Sequence, residues 1–225
     1  MGKYLIFLVF VCISRHSYAQ INEIGFFVGG VNYIGDVGRT NYIQPNRSGI
    51  SILYKYNLNP RIALRGTLNR FNLAGNDADS GNVVRQARGF EFENLINEVA
   101  VGIEYNFFEY DISTSNKVST PYLLLQVAAV DYEKPRIQNA PRDYRFTRNT
   151  SIAIPVGIGW KTRVYGKVAF AVEATFRYSF TDKLDYTTSE FAELDFGGTF
   201  NDWYAFTGIS LVYTFGRPAC FADRK

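Results

Sequence analysis

From residue 21 onward, apolar and polar residues alternate with a period of two in one segment after another. Apolar residues take even positions at Ile24, Phe26 and Val28, at Ile50, Ile52, Tyr54 and Tyr56, and at Ile62, Leu64 and Leu68. They move to odd positions at Leu95, Val99, Val101, Ile103, Tyr105 and Phe107. Even positions return at Tyr122, Leu124, Ala128 and Val130. They continue at Ile152, Ile154, Val156, Ile158 and Trp160, and at Val168, Phe170, Val172, Ala174, Phe176 and Tyr178. The last run is odd: Trp203, Ala205, Ile209, Leu211, Tyr213 and Phe215. Such alternation makes a strand with two unlike faces, and the pattern predicts about eight strands. Each is long enough to cross a bilayer at a tilt, for which roughly 9–11 residues are needed.

The other faces differ in kind. They carry Lys55, Arg65, Thr67, Asn69, Glu98, Gly102, Glu104, Asn106, Gly157, Gly159, Lys161, Glu173, Thr175, Arg177, Gly208, Ser210 and Thr214. A soluble barrel turns its oily face inward, whereas a membrane barrel inverts this, with an apolar band toward lipid and a polar interior. Periodicity alone leaves the choice open, and two features settle the expectation. The apolar faces lack Lys, Arg, Asp and Glu over their central turns and end in aromatics: Tyr54, Tyr56, Tyr105, Phe107, Trp160, Tyr213 and Phe215. Such rings belong at the headgroup boundary.

The connections also alternate in length. Those at 34–47, 74–91, 133–149 and 181–201 are long and polar, while 57–60 and 165–166 are tight turns. Outer-membrane barrels pair long outer loops with short periplasmic turns. The expectation is an all-β, eight-stranded antiparallel transmembrane barrel with both termini periplasmic. The segment 108–120 is longer than that pattern wants of an inner turn. The last strand, with Phe206, Gly208, Leu211, Tyr213 and Phe215, has the glycine and alternating aromatics of barrels handed to the outer-membrane assembly machinery; an ordinary hydrophobic edge strand is the plain alternative.

An eight-stranded barrel has an interior just wide enough for side chains to fill. Lys55, Arg65, Lys161 and Arg177 would then face Glu98, Glu104 and Glu173 as a buried ion network, with Arg65 and Glu98 as possible partners and no general pore. The same carboxylates suggest acid–base chemistry only if they are unpaired.

Composition sharpens this. The chain has 225 residues, with one His and two Cys. Residues 1–19 read as a secretory signal, with cationic Lys3, an apolar run from Tyr4 to Ile13, and small Ser17 and Ala19 before a cut between Ala19 and Gln20. Cys12 lies inside the apolar run after Val9, Phe10 and Val11, which is no lipidation site. Removing the signal takes away His16 and leaves Cys220 as the single cysteine, with a net charge near +1. Without His there is no Ser-His-Asp triad, no Cys-His pair and no His-based zinc site. Near-neutral charge argues against nucleic acid as a partner. The chain reads as exported and non-enzymatic, with no cofactor or metal implied. Its expected divisions are the signal, a barrel at 20–215 and a periplasmic tail at 216–225.

Several motifs are weak. Asn76-Asp77-Ala78-Asp79-Ser80-Gly81 hints at a calcium loop, but the glycine comes one place early and Arg88 stands where a bidentate Glu belongs, so a solvated loop is the better reading. Gly157-Ile158-Gly159 lacks the rest of a nucleotide fingerprint; in a strand such glycines relieve crowding inside a barrel. Lys134, Arg136, Arg142, Arg145 and Arg148 make the third long loop basic. They would clamp lipopolysaccharide phosphates or simply stay hydrated beside Glu133 and Asp143. Cys220 sits in the tail with Pro218 and Phe221. The periplasm is oxidising, so an odd cysteine there points to an intermolecular partner, with an unreactive free thiol as the alternative.

These residues also suggest a family. Gly29-Gly30-Val31-Asn32-Tyr33-Ile34-Gly35-Asp36-Val37-Gly38, followed by Thr40-Asn41-Tyr42-Ile43-Gln44-Pro45-Asn46, resembles the start of PorG-like barrels of the Bacteroidetes type IX secretion system. So do Leu53-Tyr54-Lys55-Tyr56-Asn57 with Asn59-Pro60-Arg61, and the stretch from Phe92 to Phe108 with Glu98, Glu104, Asn106 and Phe107. Thr120-Pro121-Tyr122, Ile154-Pro155-Val156-Gly157, Phe180-Thr181-Asp182-Lys183-Leu184-Asp185 and Asn201-Asp202-Trp203-Tyr204-Ala205-Phe206-Thr207-Gly208 also match. Tyr213-Thr214-Phe215-Gly216-Arg217-Pro218 with Cys220 completes the set. The resemblance implies an outer-membrane anchor for a periplasmic ring of lipoprotein and partner subunits (PorK and PorN) in a protein-exporting machine. It makes Cys220 a covalent tie to a ring subunit and 108–120 a second docking surface. The competing expectation is a stand-alone surface barrel for adhesion or for lipid or lipopolysaccharide binding through its outer loops.

Overall fold

The computed structural model describes residues 21–111, 118–140, 143–198 and 200–216. Signal-cleavage residues Ala19 and Gln20, and tail residues Pro218, Cys220 and Phe221, lie outside the described residues. Eight strands run β1 Ile21–Ile34, β2 Arg47–Asn59, β3 Ile62–Asn76, β4 Glu91–Asn106, β5 Ser119–Ala140, β6 Asp143–Tyr165, β7 Val168–Ser179 and β8 Trp203–Gly216. Each pairs antiparallel with the next, and β8 closes on β1. The chain is therefore all-β, a closed eight-stranded antiparallel barrel. No helix among the described residues is long and apolar enough to cross a membrane.

The described chain ends meet where Ile21 pairs with Gly216, at the same end as the tight turns between β2 and β3 and between β6 and β7. We call this the turn end and the opposite one the loop end. The β1–β8 seam brings Gly29 directly opposite Gly208. A Cβ on Gly29 would strike the Thr207 carbonyl, and one on Gly208 the Val28 carbonyl, so the wall closes tightly there only because both side chains are absent.

Alternation sorts the two faces as the sequence suggests, with one exception. Phe26, Val101, Leu211 and their neighbours point outward and are exposed, at 65%, 64% and 58%. In β5 the faces are reversed: Tyr122, Leu124, Ala128 and Val130 point inward, and Leu123, Leu125 and Val127 point out. Both faces of Tyr122-Leu123-Leu124-Leu125 are apolar, so the period of two carries no phase there, and a shift of one residue exchanges the faces.

Two loops are more ordered than expected. The 133–149 segment is the distal half of a β5–β6 hairpin paired out to Ala140 and Asp143, with a bulge between Pro135 and Ile137. It continues beyond the last β4 partner, Asp131, and the last β7 partner, Ala153. Asn94 continues the missing β4 contact with its side chain: its Nδ2 donates to the Glu133 carbonyl at 2.8 Å and its Oδ1 accepts the Glu133 N–H at 3.0 Å. The 74–91 segment is a short 3-10 turn, Asp77–Asp79, and a helix α1, Val83–Arg88, capped by Asn82 and by left-handed Gly89. Asp77 is buried and takes Arg88 Nε at 2.6 Å and the Gly38 N–H at 3.0 Å. Its carboxylate is thus committed to an ion pair, which replaces both the calcium loop and the solvated loop.

Candidate functional site: a sealed, ionised lumen

Strand alternation aims the ion-forming residues into a space closed at both ends. Toward the turn end, Glu104 receives Lys55 Nζ at 2.7 Å, Lys161 Nζ at 2.6 Å and Arg65 Nη1 at 3.3 Å. Arg65 also binds Glu173, through Nη2 at 3.1 Å, and the Tyr122 hydroxyl donates to the same carboxylate at 2.7 Å. Nearer the loop end, Arg177 Nε bridges both oxygens of Glu98 at 3.1 and 3.0 Å. Tyr204 donates to Glu98 at 2.8 Å, and Asn69 donates to its other oxygen. All these side chains are buried.

The anticipated pairing of Arg65 with Glu98 does not form. Asn69 is the rung partner of Glu98, and Gly102 that of Arg65. Arg65 instead reaches across the lumen to β7. Glu98 and Glu104 therefore belong to two separate clusters: the oxygens of Glu104 are occupied by three cations and those of Glu98 by Arg177, the Tyr204 hydroxyl and the Asn69 amide, so neither stands as a free base. Alternation did not single out Tyr122, Tyr204, buried Glu23 (bound by Asn57 at 2.9 Å) or buried Arg163 as members of the lumen. The signal for the tyrosines was weak, since a ring on a strand reads as apolar until its hydroxyl finds a carboxylate.

The glycines of β6 make room for this packing. A Cβ on Gly159 would strike the Tyr122 ring, and one on Gly157 would strike Thr175. Above the ions lies an aromatic plug. Phe27 and Phe206 pack edge-on at 4.6 Å between ring centres, and Phe71 sits 5.5 Å from both Phe206 and Tyr204. The Arg177 guanidinium lies 5.5 Å from the Phe206 ring and 5.6 Å from Phe71, joining plug to ions.

Both mouths are covered. At the turn end the start of the β4–β5 connection, residues 107–111, folds inward: Tyr110 is buried, its N–H donates to the Pro60 carbonyl at 3.0 Å, and Lys161 Nζ stands 4.4 Å from its ring centre. At the loop end the β7–β8 loop packs Leu184 over the opening, and the Tyr33 hydroxyl contacts both Asp185 and Asp202. Asp182 and Asp185 have raised pKa values, Asp182 up to about 6, through burial first and then neighbouring carboxylates.

The seven aromatics singled out in the sequence all lie on the outer wall toward the turn end. Tyr54 donates to Asn22 at 2.6 Å, Trp160 donates to Ser119 at 2.6 Å, and the Tyr105 and Phe107 rings stand 5.8 Å apart. Of the basic hairpin residues, Arg148 is held by Asp131 and Lys134 lies 3.9 Å from Glu190. Arg136 and Arg145 are exposed, and Arg142 lies outside the described residues. Among the described residues no group of His, Cys, Asp or Glu could hold a metal ion.

Solved structures similar to this chain share its architecture at low identity. A major outer membrane protein from Thermus thermophilus is 11% identical with a TM-score of 0.48, covering 88% of this chain and 100% of that one. The attachment invasion locus protein Ail of Yersinia pestis, in complex with the heparin analogue sucrose octasulfate, is 15% identical at 0.47, covering 87% and 99%. The outer membrane protein OprG from Pseudomonas aeruginosa is 10% identical at 0.45, covering 89% and 98%. No curated protein matches the chain. The family model described as a domain of unknown function, DUF6089, matches residues 2–224, and the chain belongs to that family.

Proposed function

We propose that this protein is a non-enzymatic outer-membrane barrel of a Gram-negative, Bacteroidetes-like bacterium. In this reading its periplasmic rim anchors a ring complex of a protein-secretion machine. The observation that carries the membrane reading is the reversed distribution of side chains. Lys55, Arg65, Glu98, Glu104, Lys161, Glu173 and Arg177 are sealed inside, while an exposed apolar belt covers the wall. Water would make that belt a large liability, and lipid makes it the favoured face. The turn end is then periplasmic, with Tyr54, Tyr56, Tyr105, Phe107, Trp160, Tyr213 and Phe215 as its aromatic girdle.

A lumen filled by ions and rings offers no conduit, so the role falls to the rims. Resemblance to PorG-like barrels supplies the scaffold role, with PorK- and PorN-like subunits as partners. Cys220, flanked by Pro218 and Phe221, is the proposed covalent contact. The second reading, a surface barrel for adhesion or lipopolysaccharide binding, is favoured by the projecting β5–β6 hairpin with exposed Arg136 and Arg145. The test is two-part. The purified mature chain should need detergent to stay folded, and a chain that is soluble and folded in plain buffer overturns the membrane reading. Non-reducing gels and crosslinking mass spectrometry from Cys220 in native membranes should give periplasmic adducts lost in Cys220→Ser. Empty periplasmic capture, with surface binding lost on hairpin deletion, favours the second reading.

A further inference from the structure

The outer wall changes character along one rung. Phe26, Ile52, Leu68, Val99, Ala129 and Ile152 lie side by side on β1 to β6, and every one is apolar. The next outward-facing rung toward the loop end begins apolar, with Val28 and Ile50, and then turns polar with Arg70, Asn97, Asp131 and Thr150. Except for Ile152, these residues line a hollow of about 570 Å³ on the outside of the wall. That volume lies within the range of small-ligand sites.

The charges on the polar rung are not equivalent. Asp131 is neutralised by Arg148 at 2.6 Å. Arg70 is exposed, and among the described residues no carboxylate lies within salt-bridge distance of its guanidinium. An uncompensated arginine at the edge of a lipid-facing band calls for an anion at headgroup depth. A guanidinium is suited to two-pronged phosphate binding, and the apolar hollow beneath it is suited to acyl chains.

We infer that this hollow is a binding site for a phosphorylated, multiply acylated lipid of the outer leaflet, of the lipid A class, with a phosphate on Arg70 and an acyl chain along Leu68, Val99 and Ala129. The inference rests on the membrane reading and deepens it. The site differs from the hairpin arginines, which stand beyond the wall. The occupant is a lipid A–type molecule because the rung lies at the loop end, which that reading places outside, and because the site joins one strong cation to an extended oily surface.

Native mass spectrometry of the detergent-purified barrel tests this, with diphosphoryl lipid A, its dephosphorylated form and phosphatidylglycerol as probes. Wild type should retain diphosphoryl lipid A at least tenfold more tightly than either control. Arg70→Gln should remove that preference, and Ala129→Trp should weaken binding by filling the hollow. Lys167→Gln, in the exposed turn between β6 and β7 at the opposite end, should change nothing. Heat-modifiable migration on gels checks that each variant is folded; no carboxylate among the described residues depends on Arg70, so its loss should not affect folding. Equal retention by wild type and Arg70→Gln overturns the site. Phosphatidylglycerol bound as tightly as lipid A overturns the choice of lipid. Failure of the membrane reading would show earlier, as a chain that needs no detergent.

Discussion

The two halves of the lumen solve the same problem with different chemistry. Toward the turn end the space is filled by Lys55, Lys161, Arg65, Glu104, Glu173 and Tyr122, each buried and each dependent on a charged or hydroxyl partner. Toward the loop end it is filled by Phe27, Phe71, Phe206 and Tyr204. At the boundary Glu98 pairs with Arg177, and Arg177 is also stacked among the rings. A buried charge is tolerable only while its partner is present, because the desolvation cost of each ion is met by the other. A buried ring depends on volume, and its neighbours relax partly around a loss. The ionic half is therefore specific in its pairings, and the aromatic half is specific in its size.

The sharpest way to break that contrast is Glu104→Gln. It leaves Lys55 and Lys161 without their carboxylate, at a cost of about 5 kcal/mol, the upper end for removing one member of a buried network. Phe206→Ala should cost about 3 kcal/mol, the lower end for such truncations, since Phe27 and Phe71 can lean into the space. Thermal unfolding in detergent, followed by heat-modifiable migration, measures both. A Glu104→Gln loss no larger than that of Phe206→Ala would erase the distinction.

A smaller effect sharpens it. A double-mutant cycle should give Arg65 and Glu173 a coupling of about 2 kcal/mol, while Arg65 and Glu98, with different partners, should add within about 0.5 kcal/mol. Coupling of the same size in both cycles would mean that the lumen behaves as one undivided charge cloud.

The inward set on β2, β3, β4, β6 and β7 was legible because each of those strands alternates cleanly. In β5 the leucines occupy both faces, and the phase was lost along with the role of Tyr122. Pairings across the lumen were not legible at all. Arg65 and Glu173 are 108 residues apart, and their meeting depends on closure of the ring and on the size of its interior. Adjacent strands suggest Arg65 with Glu98, yet Asn69 already occupies that place. Loop order was equally hidden. Asp77 and Arg88 looked like a failed calcium motif because the sequence shows spacing, whereas burial decided that the arginine would supply the counter-charge.

The smallest predicted effect concerns the β7–β8 loop, which holds buried acid groups over the mouth beside its surface ion pairs at Glu190. Asp185 Oδ2 lies 2.8 Å from the Tyr33 hydroxyl, and Asp202 Oδ1 contacts the same hydroxyl. One phenolic proton serves one carboxylate, so the trio is complete only with an additional proton. Burial, then the charge of Asp185, raises Asp202 well above an ordinary aspartate. Asp182, raised to about 6 by burial and by Asp185 and Asp36, is only partly relieved by Lys183. Raised values mean that the closed loop binds more protons than the open one. Its stability is therefore full below the unfolded aspartate value of about 3.9 and falls as pH rises through 6 and beyond. After correction for intrinsic rates, amide hydrogen exchange in residues 180–202 should be about 3–10-fold faster at pH 8 than at pH 5, with the strands unchanged. Asp202→Asn carries its own donor toward Tyr33 and should flatten most of that dependence. If the variant keeps the full pH profile, the proton shared at Tyr33 is not what holds the loop shut.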